Sequence, residues 1–300
     1  MRCAQTLVFR CIEREMTSTR LARETLRWLP RKGISRAFGR IAASEPPRAL
    51  LSRAIDAYVR AYEVDLEECL VPEQGFRTFN EFFSRPLREG AREISKDPLA
   101  IVSPADGRLE DEGPIGEDAS FLVKGRRYTC AEMLGSESDA DELRGGRFAI
   151  VYLSPRDYHR VHAPVAGLVT RARHIGGTLY PVNRIGLEHV EKLFATNERV
   201  VVRQESESLG AVITVMVGAL IVGGISVSFD PSIRSNHGLP RGEVRYADPM
   251  MLARGAELGR FLLGSTAIVF LPSRAMRGLV AKLPTGVSVK MGQALYGASP

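Results

Sequence analysis

The residues best able to do chemistry in this chain are one serine, two histidines and one aspartate. Ser265 directly follows Gly264, between two apolar stretches rich in strand-forming residues. A serine hydroxyl that loses its proton to a base is a nucleophile, and a glycine carbonyl has no neighbouring side chain to shield it. The pair therefore predicts attack of Ser265 on its own peptide bond, although a strand with a glycine bulge would give the same pattern.

The base and its orienting carboxylate are expected upstream of this pair. His159 and His162 lie within Tyr-His-Arg-Val-His, a spacing that turns both rings towards one region. Asp106 lies in Pro-Ala-Asp-Gly, where Asp before Gly is also a common turn pair. In a Ser-His-Asp arrangement, Asp106 would bond one ring nitrogen of a histidine, and the other nitrogen would take the Ser265 proton.

Two other kinds of site fit the same residue types less well. Two histidines and a carboxylate can hold Zn²⁺, but a third firm ligand is hard to place, so we expect no metal. No Gly-x-Ser-x-Gly elbow is present, which argues against a hydrolase. The four cysteines are scattered and form no Cys-x-x-Cys pair, which favours a reducing compartment over a disulfide framework.

The first third of the chain has a helical pattern and most of the excess positive charge. Ile34, Phe38 and Ile41 recur at helical spacing, with Lys32, Arg36 and Arg40 on the opposite face. Residues 16–60 contain ten Lys or Arg against three Asp or Glu, while the whole chain has a net charge of +6. Such a segment predicts an anionic partner, and an apolar stripe bordered by arginines favours a membrane surface over nucleic acid. A helix packed on its own domain with a solvated charged face remains the alternative.

After Ile101 the pattern changes to short Val- and Ile-rich runs separated by Gly, Pro and Asp. This predicts an α+β protein, in which amino-terminal membrane-associating helices precede a β-rich catalytic domain that resembles a barrel or sandwich. The longest apolar run, Ala211–Val227, reaches the lower length limit of a membrane span. Its glycines and β-branched residues instead favour two buried strands joined by a Gly-Gly turn.

Several stretches of the chain form a series of recognisable motifs. In chain order they are FNEFFSRPL (79–87), SPADG (103–107), YHRVH (158–162) with Pro164, LYPVN (179–183), TNERV (196–200), VGA (217–219) with Val222-Gly223, and ELGRF (257–261) with LGST (263–266). Taken together, these stretches resemble the bacterial phosphatidylserine decarboxylase family across residues 17–298. Each motif is weak alone, but their joint occurrence in this order is specific. The departures, Tyr180 where the family often has Phe and the additional residues 1–15, affect no catalytic position.

The resemblance implies that the chain is made as a precursor and cleaves itself. Ser265, deprotonated by His162 with Asp106 behind it, would attack the Gly264 carbonyl and form an ester. β-Elimination would then break the chain into residues 1–264 and residues 265–300, and the new amino terminus would become a pyruvoyl group. This group, the implied cofactor, would form a Schiff base with the serine amine of the lipid and accept the electrons released with CO₂. His159 or His162 would return the proton to the product.

The resemblance also implies a location and partners. The enzyme would lie peripherally on the cytoplasmic face of the cell membrane, bound to phosphatidylserine in an anionic surface. The two fragments would form a heterodimer that could dimerise further. Nucleic acid is not an expected partner. We expect a helical membrane-associating region at 17–98 and a catalytic domain at 99–300. Residues 1–16 would be unstructured or would reflect a wrongly assigned start, with the true start at Met1 or Met16.

Two alternative functions remain. The first is a pyruvoyl-dependent decarboxylase that acts on a soluble amino acid, against which the membrane-type helices argue. The second is a non-catalytic binding module of the biotinyl type, suggested by the Pro/Gly turns and by Val289-Lys-Met-Gly292. The Met-Lys-Met tip that such modules modify is missing, which argues against the second alternative.

Overall fold

A computed structural model describes residues 31–220, 224–233, 235, 242–262 and 265–299. Several sequence predictions therefore lie outside the described residues. They are the helix expected before Pro30, the choice between Met1 and Met16 as the start, and the structure around Gly264. The side chains of Lys32 and Ile34 also lie outside them.

The amino-terminal part consists of helices, as the periodicity predicts. They are α1 (Arg31–Ala43), α2 (Arg48–Tyr62) and the short α3 (Phe79–Phe83). Two prolines separate α1 from α2, and α2 ends where Glu63 adopts a left-handed conformation at φ 56°. α3 begins at Thr78, whose side chain accepts the backbone N–H of Glu81 and so satisfies one of the free donors of the first turn.

α2, α3 and the loop between them form a small apolar core. Its buried members are Leu51, Ile55, Val64, Phe76, Phe82 and Phe83. Leu51 and Ile55 lie one helical turn apart on α2, and both face the aromatic residues that α3 supplies. The described helices contain none that is both long and apolar enough to cross a bilayer.

The rest of the chain is built around an eight-stranded sheet in which every ladder is antiparallel. In spatial order its strands are β11 (Gly242–Leu252), β7 (Gly167–Ile175), β8 (Arg199–Ser206), β9 (Gly210–Gly218), β13 (Ser265–Leu271), β5 (Arg147–Leu153), β2 (Gly107–Pro114) and β15 (Ser288–Val289). β13 therefore lies inside the sheet, between β9 and β5.

Three smaller sheets complete the strand domain. They comprise β1 (Ile101–Val102), β16 (Ala294–Ala298) and β14 (Leu279–Ala281); β10 (Ile225–Val227), β12 (Glu257–Phe261) and β6 (Arg160–His162); and β3 (Ser120–Val123) with β4 (Arg126–Thr129). The remaining helices are α4 (Cys130–Leu134), α5 (Glu137–Glu142), α6 (Arg184–His189), α7 (Leu193–Thr196) and a 3₁₀ turn at Ser273–Met276.

The central strand β13 is buried on both faces. Ala267, Val269 and Leu271 pack into one apolar core, whereas Ile268 and Phe270 pack into a second core on the other face. A strand covered on both sides needs apolar residues at every position, which is why β13 reads as a continuous hydrophobic run. The same reason accounts for β9, whose nine residues are all buried.

The α+β class is confirmed, but the expectation of a barrel is wrong. Among the described residues the sheet is open, because its edge strands β11 and β15 are not paired with each other. Other layers cover both faces of the inner strands, so the sheet buries its apolar surface without closing on itself. The two strands predicted within Ala211–Val227 are confirmed as β9 and β10, which belong to different sheets; the turn at residues 221–223 lies outside the described part.

Candidate active site

Ser265 is the first residue of β13, and its environment is unusual for a serine. It pairs with Leu153 on one side and with Gly218 on the other. The residue is only 1% exposed, and its hydroxyl has no hydrogen-bond partner among the described residues. A buried polar group without a partner costs free energy, and among the described residues the hydroxyls of Thr214 and Thr266 have the same property.

A second Leu-Gly-Ser tripeptide, Leu134–Ser136, provides an internal comparison. Ser136 is the N-cap of α5, and its hydroxyl accepts the backbone N–H of Asp139 at 3.2 Å. Its hydroxyl is also 3.1 Å from that of Ser138, at an exposed position. The same three letters therefore give a solvated helix cap in one place and a buried, unpartnered hydroxyl in the other.

His162 lies at the end of β6, and both of its ring nitrogens are engaged. Nδ1 is 2.7 Å from the carbonyl oxygen of Gly255, which can only accept, so Nδ1 carries the proton. Nε2 therefore accepts the Tyr158 hydroxyl at 3.0 Å. Burial lowers the pKa of His162, and the Gly255 carbonyl opposes this effect. His162 is thus a neutral base, and the Tyr158 hydroxyl occupies its acceptor nitrogen, Nε2.

Asp106 makes a different set of bonds from the one that the sequence predicts. Arg92 donates to its carboxylate through Nε at 3.0 Å and through Nη2 at 2.5 Å, and the backbone N–H of Met291 donates at 2.8 Å. Arg92 also pairs with Glu68 at 2.7 Å, and Lys290 lies 3.7 Å from the Asp106 carboxylate. The turn that contains Asp106 nevertheless contacts His162 through the main chain. The backbone N–H of His162 donates to the carbonyl of Pro104, in the same turn, at 2.7 Å.

The expected hydrogen bond from Asp106 to a ring nitrogen of His162 is therefore corrected: in this structure the Gly255 carbonyl holds that nitrogen. The physical reason is competition, because a carboxylate gains more from a bidentate guanidinium than from a neutral imidazole. The charge of Asp106 still acts on His162, favouring its protonated form. The catalytic roles of Asp106, His162 and Ser265 remain predictions.

His159 is the most deeply buried titratable group near this region. Its Nδ1 is 2.7 Å from the Asp157 carbonyl, so it carries the proton, and Nε2 has no partner among the described residues. The ring is 0% exposed and packs against the Phe83 ring at a centroid distance of 4.0 Å. Burial lowers the pKa of His159 to about 3, with a smaller contribution in the same direction from the Arg85 charge.

The chain segment that leads to Ser265 runs beside His159. The Phe261 N–H donates to the His159 carbonyl at 2.9 Å, and β12 pairs with β6 through Arg260 and Arg160. The two histidines and the beginning of the Ser265 segment therefore lie along one pair of strands. Gly264, the expected electrophile, lies outside the described residues.

Sequence reasoning missed three residues of this region: Tyr158, Arg92 and Phe83. Tyr158 lies in the motif that contains both histidines, so its position was a usable signal. Arg92 was not identifiable, because nothing local in the sequence links it to Asp106 across a loop. Phe83 lies in the FNEFFSRPL stretch, but its contact with His159 depends on how α3 docks on the strand domain.

Comparison with known proteins gives a consistent result. The family model described as phosphatidylserine decarboxylase matches residues 79–297. The phosphatidylserine decarboxylase proenzyme of Brevibacillus brevis is 40% identical over 269 residues, which are 89% of this chain and 94% of that protein. The proenzyme of Anaeromyxobacter sp. (strain K) is 40% identical over 285 residues, covering 93% of this chain and 99% of that protein. The chain belongs to the phosphatidylserine decarboxylase family.

Proposed function

We propose that this chain is a precursor that cleaves itself between Gly264 and Ser265 and then decarboxylates phosphatidylserine to phosphatidylethanolamine. The observation that carries the proposal is the buried Ser265 hydroxyl, which has no partner among the described residues and begins the central strand of a family member. Buried hydroxyls without a partner are uncommon in native structures, and Ser136 of the other Leu-Gly-Ser tripeptide does hydrogen-bond.

In the proposed maturation, His162 takes the Ser265 proton after the Tyr158 hydroxyl has left Nε2. The Ser265 oxygen then bonds to the Gly264 carbonyl carbon, and the peptide C–N bond breaks to give an ester and an amine. The new amine takes the proton held by His162. Loss of the Ser265 Cα proton with cleavage of the Cβ–Oγ bond then releases the Gly264 carboxylate, and the resulting enamine becomes an imine that water hydrolyses to the pyruvoyl carbonyl and ammonia. If Tyr158 stayed in place, His159 would be the alternative base, because its Nε2 has no partner in the described structure.

The residues present fit a pyruvoyl group at position 265. The Ser265 side chain and backbone lie in a water-excluded position that the flanking strands β5 and β9 hold in register. When formed, this group would supply a carbonyl that binds the substrate amine and takes up the electron pair left by CO₂. Apolar surroundings favour loss of CO₂, because a carboxylate charge disappears in that step.

We assign the proton transfer of decarboxylation to His159. Its Nε2, which has no partner among the described residues, can relay a proton to the carbon from which CO₂ departs, since the net reaction takes up one proton from solvent. The lowered pKa of His159, about 3, makes its protonated form a strong donor. The Asp157 carbonyl fixes the tautomer, so that Nε2 is the nitrogen that exchanges the proton.

Peripheral membrane binding is proposed for the helical segment, which comprises α1, α2 and α3 (residues 31–83). Ile41 and Leu50 flank the turn between α1 and α2, and they are 64% and 62% exposed. Arg36, Arg40 and Arg48 on the same two helices are also exposed. Exposed apolar side chains beside arginines can enter the interface of an anionic bilayer, which supports a location on the cytoplasmic face of the membrane.

The intact mass of the purified protein, measured with a decarboxylation assay, tests the proposal. We expect two fragments divided at Gly264-Ser265, with a pyruvoyl mass on the smaller one, and release of CO₂ from phosphatidylserine in mixed micelles. Ser265→Ala should remain one chain and release no CO₂. Ser136→Ala, in the matching Leu-Gly-Ser tripeptide, should be cleaved normally. Active enzyme that stays full length would contradict the mechanism, and turnover of free amino acids but not the lipid would support the soluble-substrate alternative.

A further inference from the structure

The helical segment contacts the loop that carries His159 at several points. The Tyr58 hydroxyl of α2 donates to the Pro155 carbonyl at 3.0 Å. In the opposite direction, Arg160 donates through Nε to the Ser84 carbonyl at 2.9 Å. These bonds lie on either side of His159 in the sequence and fix the loop between β5 and β6 against the helices.

A ring contact reaches the histidine itself. Phe83, the last residue of α3, is 2% exposed and packs against the His159 ring in a tilted arrangement, with an interplanar angle of 48°. On the side of the helices, Phe83 also packs against Tyr58 and Phe79, with centroids 6.2 and 6.4 Å away. The apolar core of the helical segment therefore ends on the imidazole of His159.

We propose that Phe83, assisted by the Tyr58 hydroxyl, is a positioning residue for His159, so that the helical segment forms one wall of the active site. This inference rests on the proposed role of His159 in decarboxylation. Phe83 covers one face of the imidazole and excludes water from it, while Tyr58 holds the loop from which the ring projects. The ring has one described hydrogen bond, from Nδ1 to the Asp157 carbonyl, so packing contacts such as the one with Phe83 supply the other restraints on its position.

Through Phe83, the helical segment would affect the protonation of His159 and hence catalysis, in addition to membrane binding. His159 is neutral because water is excluded from its ring, and Phe83 is one of the side chains that exclude it. Arg85 is the charged group that acts on the ring, and its charge also favours the neutral form. Water reaching the ring would stabilise the imidazolium, so the pKa of His159 would rise towards the ordinary value of about 6.5.

Phe83→Leu compared with Phe82→Leu in the processed enzyme is the matched test. Phe82 is 0% exposed and belongs to the same aromatic cluster, but its ring packs against Tyr58, Phe76, Phe79 and the Arg85 guanidinium, and no ring contact with His159 is described for it. Both changes remove similar apolar volume, so a similar fall in Tm is expected. Phe83→Leu should lower kcat at least tenfold with KM within threefold, and should move the acid limb of kcat up by at least one pH unit. Phe82→Leu should keep kcat within twofold and leave the acid limb unmoved.

Tyr58→Phe is the second variant, because it removes one hydroxyl and keeps the ring cluster. It should lower kcat about fivefold without changing self-cleavage. Equal losses of kcat in Phe83→Leu and Phe82→Leu, with the same pH profile as the wild type, would overturn the proposal. Failure of the proposed function would look different, because the wild-type enzyme would then release no CO₂ from phosphatidylserine.

Discussion

The carboxylate of Asp106 accepts the backbone N–H of Met291 at 2.8 Å, and the two residues lie on opposite sides of the expected cleavage point. The same carboxylate binds Arg92, so one buried group joins the region after the helices to the carboxy-terminal part of the chain. In the proposed mature enzyme this bond would connect the large fragment to the small one. Asp106 therefore has a structural function in addition to its predicted part in maturation.

The buried ion pair of Arg92 with Asp106, together with its pair to Glu68, is expected to contribute strongly to the stability of the fold. The side chains of Arg92 and Asp106 are each 6% exposed, so Arg92→Gln would leave a buried carboxylate whose remaining described cation is the more distant and exposed Lys290, 3.7 Å away. Breaking such a pair costs about 3–5 kcal/mol. We expect a loss of that size in the free energy of unfolding, measured by urea titration in the uncleaved Ser265→Ala background.

Lys96→Gln is the control for this measurement. Lys96 pairs with Glu93 at 3.6 Å, but the two side chains are 91% and 79% exposed. An exposed pair contributes about 0–1 kcal/mol, so the unfolding free energy should hardly change. Equal effects of the two substitutions would show that Arg92 acts as an ordinary surface charge.

The two fragments should remain together after cleavage. Residues 265–271 form β13, which is hydrogen-bonded to β9 and β5 and buried at every position. Removing this strand would expose both apolar cores at once. Native mass spectrometry of the processed enzyme should therefore give a complex of the two fragments, which separate only in denaturant. Detection of free small fragment under native conditions would contradict this prediction.

Tyr158→Phe should change the pH dependence of self-cleavage. The Tyr158 hydroxyl bonds to Nε2 of the neutral imidazole, so its removal should raise the pKa of His162. A hydrogen bond of about 1 kcal/mol corresponds to about 0.7 pH unit. Because the neutral base is the active form, the acid limb of the cleavage rate should move to higher pH by that amount. Asp106, Glu257 and Arg160 also act on this ring and are unchanged.

The rate on the alkaline side distinguishes two roles of Tyr158. If the hydroxyl only covers Nε2, Tyr158→Phe should cleave faster than the wild type above the acid limb, as followed by gel electrophoresis. Slower cleavage there would mean that the hydroxyl takes part in the proton transfer. Tyr246→Phe is the control, because that hydroxyl bonds to Asp230 and its loss should leave the cleavage profile unchanged.

The exposed apolar residues of the helical segment should control membrane binding. Ile41→Ser combined with Leu50→Ser should weaken binding to vesicles containing phosphatidylserine by at least tenfold, since each buried side chain contributes about 1.5–3 kcal/mol. Leu122→Ser is the matched control, because Leu122 is 60% exposed but lies on β3 of the strand domain. Equal binding of the double variant and the control would refute the proposed membrane surface, as would unchanged binding after deletion of residues 17–43.

Much of the fold could be predicted from local patterns. The spacing of Phe38 and Ile41 predicted α1, and the continuous apolar letters around Ser265 predicted a buried strand. The open sheet could not be predicted, because the periodicity of a strand does not tell how many neighbours it has or whether the sheet edges meet. The pattern in α1 was also incomplete: Ser35 and Ala42 are buried, whereas Ile41 is exposed.

For the candidate site too, the sequence could predict one part, the identity of the residues, but not the other, their hydrogen-bond partners. Ser265, His162, His159 and Asp106 could be named from the sequence, because nucleophiles, bases and carboxylates are recognised by residue type and motif. Their bonds were decided only by tertiary structure, since hydrogen-bond partners depend on which groups the strands bring within about 3 Å. The two Leu-Gly-Ser tripeptides differ for this reason, because identical local sequence becomes a solvated helix cap at Ser136 and a buried hydroxyl at Ser265.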